Sequence, residues 1–170
     1  MSGTGLESLR VLLVEDNAHM RHILQTVLTG VGLRQIREAA DGHAGLDLLR
    51  EWTADFVVAD FRMAPMDGVE FTRRVRCDPD SANPYLPIIM MTGHADRTRV
   101  MEARDAGVTE FVVKPMTAQA ILDRINAVVH KPRPFVKCDG YFGPDRRRRQ
   151  DPRFVGPWRR NGDVKPSTFL

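Results

Sequence analysis

Phe56-Val57-Val58-Ala59-Asp60-Phe61-Arg62-Met63-Ala64-Pro65-Met66-Asp67-Gly68 is the stretch whose reading decides the fold of this chain. Its first four residues are an unbroken apolar run bounded by turn residues, which reads as a buried strand. Asp60 closes the run. Met63, Pro65, Asp67 and Gly68 then turn the chain toward a helix. In open parallel sheets the carboxyl ends of the strands line the crevice where ligands bind. A carboxylate delivered to that point is therefore placed for chemistry.

The same pattern repeats on both sides. Arg10 to Val14 is a second buried-strand signal that runs into Glu15 and Asp16, with Asn17 as a helix cap. Met20, Ile23, Leu24, Val27, Leu28 and Val31 recur at helical spacing, and Gly30 and Gly32 close that helix. Gln35 to Ala40 is a more polar strand suited to a sheet edge. Asp41-Gly42 caps a helix through Leu48, Leu49 and Trp52. Beyond the central strand, a helix starting near Gly68 runs through Phe71 and Val75. Pro87 to Thr92 is a fourth strand ending on a hydroxyl, and a charge-rich helix spans roughly Asp96 to Ala106. Glu110 to Pro115 contains a fifth strand ending at Lys114. Ala118, Ile121, Leu122, Ile125, Val128 and Val129 form the inward face of a last helix. Strand and helix alternate five times, which predicts an α/β, doubly wound five-stranded parallel sheet, because parallel neighbours need crossover connections.

At 170 residues the chain has room for one domain and a tail, and its 42% hydrophobic content supplies a core for the domain. No apolar run reaches the length of a membrane span, and the first ten residues lack a signal-peptide pattern, so a cytoplasmic protein is expected. Cys77 and Cys138 are too few for a disulfide framework or a thiolate metal cluster. Charge is divided unevenly. Residues 1–130 hold 14 Lys+Arg against 18 Asp+Glu, a net −4, whereas residues 131–170 hold 11 against 4, a net +7. The basic character belongs to the tail.

Four of the strands end on Glu15-Asp16, Asp60, Thr92 and Lys114. Each alone has an ordinary explanation: a solvated acid, a capping hydroxyl, a surface charge. Together they converge on one sheet edge. Two carboxylates about 4 Å apart repel by roughly 4 kcal/mol at an effective dielectric of about 20, so three acids in one crevice need cations. Lys114 supplies one. Hard oxygen donors suit Mg²⁺ for the rest, and no Cys/His set for zinc is present. A carboxylate beside a divalent ion and a lysine is a good phosphoryl acceptor.

With these motifs assembled, the chain resembles the receiver domain of two-component response regulators. The resemblance covers about residues 8–130 and rests on Val14-Glu15-Asp16, on Asp60 with Met63, Pro65, Asp67 and Gly68, on Met91-Thr92-Gly93, and on Phe111-Val112-Val113-Lys114-Pro115. It implies the CheY-like (flavodoxin-like) strand order 2-1-3-4-5 and phosphorylation of Asp60 by a sensor histidine kinase or phosphotransfer protein. It implies Mg²⁺ bound by Glu15, Asp16, Asp60 and the backbone carbonyl of Arg62, with Thr92 and Lys114 holding the phosphoryl group and a cis Lys114–Pro115 peptide. Thr92 and Phe111 would form the switch that reshapes the face of the fourth helix, fifth strand and fifth helix for a downstream protein. A homodimer is a further arrangement it allows. Arg62 and His94, two residues beyond the acceptor and the hydroxyl, would tune the phosphate's lifetime by hindering water. The family's common proline four residues after the acceptor is displaced here, with Ala64 at that place and Pro65 next. The implied protein is a signalling protein rather than an enzyme, since it catalyses only its own phosphotransfer and dephosphorylation.

Residues 1–7 read as a leader and 131–170 as a largely irregular tail rich in Pro, Arg and aromatics, with no folded output domain. Six prolines exclude a long helix there. Gly143-Pro144-Asp145-Arg146-Arg147 is echoed by Gly156-Pro157-Trp158-Arg159-Arg160. Arginines interleaved with Tyr141, Phe142, Phe154 and Trp158 suit an anionic partner. The alternative function is therefore nucleic-acid binding through the tail. Two other readings treat the tail as a solvated extension or fold it back onto the acidic body. A haloacid-dehalogenase-type phosphatase also uses an aspartyl-phosphate, but that family expects an acid where Arg62 stands.

Overall fold

In the computed structural model, residues 5–93 and 97–146 are described. A 3-10 turn at Leu6–Ser8 leads into β1 (Arg10–Val14), α1 (Ala18–Gly30), β2 (Gln35–Ala39), α2 (Gly42–Glu51), β3 (Phe56–Asp60), α3 (Gly68–Cys77), β4 (Ile88–Thr92), α4 (Arg97–Ala106), β5 (Glu110–Val113) and α5 (Ala118–His130). Five parallel strands lie in the order β2-β1-β3-β4-β5, as the alternation and the resemblance implied. Each crossover helix returns the chain to the same sheet edge, so every strand points its carboxyl end the same way.

Alternate side chains on the strands feed two layers. Val11, Leu13, Phe56, Val58, Ile89, Met91 and Val112 pack with Leu24, Leu28, Ile121, Ile125 and Val128 from α1 and α5. Leu12, Val14, Val57, Ala59 and Ile88 face the opposite way, toward Phe71 and Val75 of α3 and the half-buried Leu46 and Leu49 of α2. The period-two alternation makes both faces of β1, β3 and β4 apolar, whereas β2 is mostly exposed at the edge. Caps fix the helix starts. The side chains of Asn17, Asp41, Asp67 and Thr117 accept backbone N–H bonds from Met20, Ala44, Glu70 and Ala120 respectively. Two helix-face expectations fail at the margins. Ile23 is 41% exposed, because it lies at the rim of an apolar stripe whose buried centre is Leu24 and Leu28. Ala118 is exposed in the first turn of α5.

The chain after α5 is more ordered than its composition suggests. Phe135–Cys138 (β6) and Tyr141–Pro144 (β7) form an antiparallel hairpin within the stretch read as irregular. β7 packs on α3 and α4 at the amino-terminal edge of the main sheet, and Tyr141, Gly143, Pro144 and Asp145 are buried. Arg76 from α3 is 3% exposed beneath it. Its Nε and Nη1 donate to the carbonyls of Gly107 and Pro84 at 3.1 and 2.8 Å, and its guanidinium lies 5.0 Å from the Phe135 ring centroid. Cys77 and Cys138 are both free thiols. Among the described residues no helix is long and apolar enough to cross a membrane.

Candidate functional site

Glu15 and Asp60 reach the site because β1 and β3 are neighbours whose apolar residues end together, with Val14 opposite Ala59 in the register. Asp60 is 6% exposed and Glu15 2%. Asp16, one residue past Glu15, is exposed and is held by the backbone N–H of Ala64, which donates to its Oδ2 at 3.0 Å. The three carboxylates offer oxygens that all lie within 4.8 Å of one another. Gly68 lets α3 begin against this edge. A Cβ there would stand 2.3 Å from the Asp60 carbonyl oxygen, so no larger residue fits without moving backbone.

Lys114 follows β5 and crosses to the acids. Its ammonium lies 2.8 Å from Asp60 Oδ1 and 3.1 Å from Glu15 Oε2, a bond spanning 99 residues of chain. Burial alone would lower the Lys114 pKa. The hydrogen bond and charge of Asp60, followed by those of Glu15, hold it above the ordinary lysine value instead. Glu15 is pushed up by burial and by the charge of Asp60, more than the Asn17 N–H and Lys114 offset. Lys114 thus pairs with Glu15 and Asp60, and Asp16 adds a third acid to the cluster. The excess negative charge, on hard oxygens open to one side, fits a divalent ion of the Mg²⁺ type.

Thr92 ends β4, 5% exposed, and its carbonyl accepts the Lys114 N–H at 2.8 Å, tying the hydroxyl-bearing residue to the lysine through the backbone. Phe111 is half-buried on β5 and packs against Phe61, Val69, Met90, Ala103, Ala106 and Val108 between the sheet and α4. The Lys114–Pro115 peptide is cis, as implied, and so is Ala64–Pro65, where the proline is displaced. Arg62 is exposed and lines an open cleft of about 440 Å³ with Asp16, Phe61, Met63, Ala64, Asp67 and Arg99. His94 lies outside the described residues.

Matched against known proteins, the response regulator receiver domain covers residues 11–126 of this sequence. The chain belongs to the response regulator receiver family. It is 32% identical over 125 residues to the chemotaxis protein CheY-3 of Vibrio cholerae, spanning 74% of this chain and 95% of that protein. To the chemotaxis protein CheY of Pseudomonas aeruginosa it is 36% identical over 123 residues, 72% of this chain and 98% of the relative. Among solved structures, Vibrio cholerae CheY4 superimposes with a TM-score of 0.65 at 28% identity, over 71% of this chain and 98% of that one. The receiver domain of a Pseudomonas aeruginosa sensor histidine kinase, solved with a magnesium ion coordinated in its active-site cleft, gives 0.61 at 28% identity, over 70% and 94%. These receivers are signalling proteins, and the family match ends at residue 126, before the hairpin.

The sequence reasoning missed two contributors to the site. Arg21 of α1 donates to the Glu15 carbonyl at 2.7 Å, bracing the acidic loop. Arg99 of α4 reaches the cleft, its guanidinium 5.5 Å from the Phe61 ring centroid. Both come from helix positions whose spacing carries no site signal. In the tail, Tyr141 is buried and its hydroxyl donates to the Pro144 carbonyl at 2.7 Å, so it is not available for stacking on a partner. Phe154, Trp158 and the second Gly-Pro-x-Arg-Arg copy lie outside the described residues.

Proposed function

We propose that this receiver accepts a phosphoryl group on Asp60 from the phosphohistidine of a sensor histidine kinase or phosphotransfer protein, in a Mg²⁺-dependent step in the cytoplasm. Glu15, Asp16, Asp60 and the backbone carbonyl of Arg62 would hold the ion, which when bound supplies positive charge to the transferring oxygens. An Asp60 carboxylate oxygen forms the new O–P bond as the donor's P–N bond breaks, and the electron pair leaves with the imidazole nitrogen. Lys114 exchanges its Asp60 contact for the phosphoryl oxygens, and the Thr92 hydroxyl donates to them. Phe111 then turns inward as Thr92 vacates space, reshaping the face of α4, β5 and α5 that docks the downstream protein. Arg62 crowds the approach of water and prolongs the acyl phosphate. Catalysis extends only to the protein's own phosphorylation and dephosphorylation.

The observation that carries this reading is the Lys114 ammonium bridging Asp60 and Glu15 while Asp16 stands within the same 4.8 Å cluster. Incubation with acetyl phosphate and Mg²⁺, borohydride reduction and peptide mapping test it. The expected product is homoserine at position 60, and unreduced Asp60 with label elsewhere would refute the assignment.

A further inference from the structure

The hairpin is attached to the far end of the strand that carries Lys114. Arg133, just before β6, donates from Nη2 to the Thr109 carbonyl and from Nη1 to the Asp145 carbonyl at 2.9 Å, and its guanidinium stands 3.7 Å from Glu110 Oε1. Glu110 opens β5 and Thr109 precedes it, and the Thr109 hydroxyl accepts the Ile88 N–H that starts β4 at 3.0 Å. Arg146, just after β7, pairs with Asp105 near the end of α4 at 2.8 Å and lies 4.3 Å from the Tyr141 ring centroid. Arg124 of α5 donates to the Phe111 carbonyl at 2.8 Å and faces Glu110 at 3.9 Å. The hairpin therefore grips α4 and β5 at their base, two of the three elements of the docking face proposed above.

The fit is close. A Cβ on Gly143 would stand 2.7 Å from the Tyr141 hydroxyl and 2.9 Å from the Gly107 Cα, so the strand rests directly on the α4–β5 connection. β5 is four residues long, with the Arg133 contacts at its start and Lys114 following its end. At about 3.3 Å per residue, the two grips are separated by roughly 16 Å of extended backbone. Movement of Lys114 and Phe111 is either absorbed within that short strand or passed to Glu110 and Thr109.

We propose that the β6–β7 hairpin is a conformational strap that opposes the phosphorylated arrangement, so that hairpin docking and occupancy of the Asp60 site are negatively coupled. The inference rests on the proposed receiver switch. The sign follows from the contacts: the hairpin is docked on the arrangement in which Lys114 is bound to the Asp60 and Glu15 carboxylates, and a group that binds one arrangement disfavours departure from it. By reciprocity, filling the phosphoryl site loosens the hairpin and freeing the hairpin tightens the site.

The test uses the full chain, with beryllofluoride and Mg²⁺ as the phosphoryl mimic. Amide hydrogen exchange at Val136, Cys138, Tyr141 and Gly143, the hydrogen-bonded positions of the ladder, should accelerate at least five-fold when the mimic binds, and Gly143→Ala should bind it at least five-fold more tightly. Unchanged or slower hairpin exchange on binding overturns the strap, whatever the variant does. Equal or weaker binding by Gly143→Ala, with its hairpin amides exchanging faster, overturns it as well. Failure of the unaltered chain to bind beryllofluoride at all would instead bring down the receiver switch on which the strap rests.

Discussion

The two edges of the central sheet solve the problem of buried charge in opposite ways. At the carboxyl edge, Glu15 and Asp60 are nearly inaccessible, Asp16 lies beside them, and Lys114 is the cation they share. At the amino edge the most deeply buried charge is Arg76, which donates to the Gly107 and Pro84 carbonyls and lies against the Phe135 ring. Burial draws the Arg76 guanidinium down to about 10, leaving it a cation at neutral pH. The first edge concentrates like charge that only added positive charge relieves, and the second surrounds Arg76 with neutral acceptors and a ring. A cluster of repelling acids is a site that binds and reacts; a cation among carbonyls is a fastener.

Substitutions at the two edges should separate these roles. The largest effect is expected from Asp60→Asn, which removes the nucleophilic oxygen. Phosphate uptake from acetyl phosphate should fall by about a thousand-fold or more, while exchange protection in the hairpin stays as it was. Lys114→Ala should slow uptake by about a hundred-fold, the scale for losing one charge-stabilising donor, as read from the initial rate of acyl-phosphate formation. It also leaves Glu15 and Asp60 with no ammonium between them, so Mg²⁺ should raise the melting temperature of this variant more than that of the unaltered chain.

At the opposite edge, Arg76→Leu leaves the Gly107 and Pro84 carbonyls without their donor. It should lower stability by about 2–4 kcal/mol, measured by urea denaturation, while Asp60 still takes up phosphate. A comparable loss of uptake in this variant and in Asp60→Asn would erase the distinction between the edges.

Much of this contrast was legible in the sequence, and the reason is geometric. A parallel strand buried on both faces has to be a continuous apolar run, so Val11–Val14, Phe56–Ala59 and Ile88–Met91 announce themselves, and their first polar successors fall at one edge. That is why Glu15, Asp16, Asp60, Thr92 and Lys114 could be named from spacing alone. Arg21 and Arg99 could not be, because a solvated helix face carries arginines whether or not one of them bends toward a cleft. The hairpin was hidden for a different reason. Pro134 and Pro144, with four consecutive arginines starting at Arg146, read as an irregular basic segment suited to an anionic partner, and nothing local shows that Arg133 and Arg146 find Glu110 and Asp105 across the fold. Phe142 stands out as an aromatic, but its contact with Tyr85 lies 57 residues back along the chain and leaves no local signal.

The smallest expected effect concerns the hairpin's outer tie. Burial would raise the Asp105 carboxyl, but hydrogen bonds from Arg146 and Arg104 hold it below its ordinary value of 3.8. A carboxyl depressed in the folded state contributes stability above its unfolded pKa and loses it as pH falls through the folded one. The Arg146–Asp105 tie should therefore persist to below pH 3.8, with the Asp105 carboxyl titrating under that value by NMR. The side chain is half exposed, so the effect is modest and salt should move the midpoint back toward 3.8. Arg146→Gln should reduce the depression, leaving the share that Arg104 supplies.

The most direct measurement is the intact mass of the unaltered chain and of Asp60→Asn after exposure to acetyl phosphate, each with Mg²⁺ and with chelator. The account predicts a single added phosphoryl group on the unaltered chain with Mg²⁺, and none in the other three samples. Equal phosphorylation with chelator, or a modified Asp60→Asn chain, would contradict the claim that the acidic cluster around Asp60 is a metal-dependent phosphoryl acceptor.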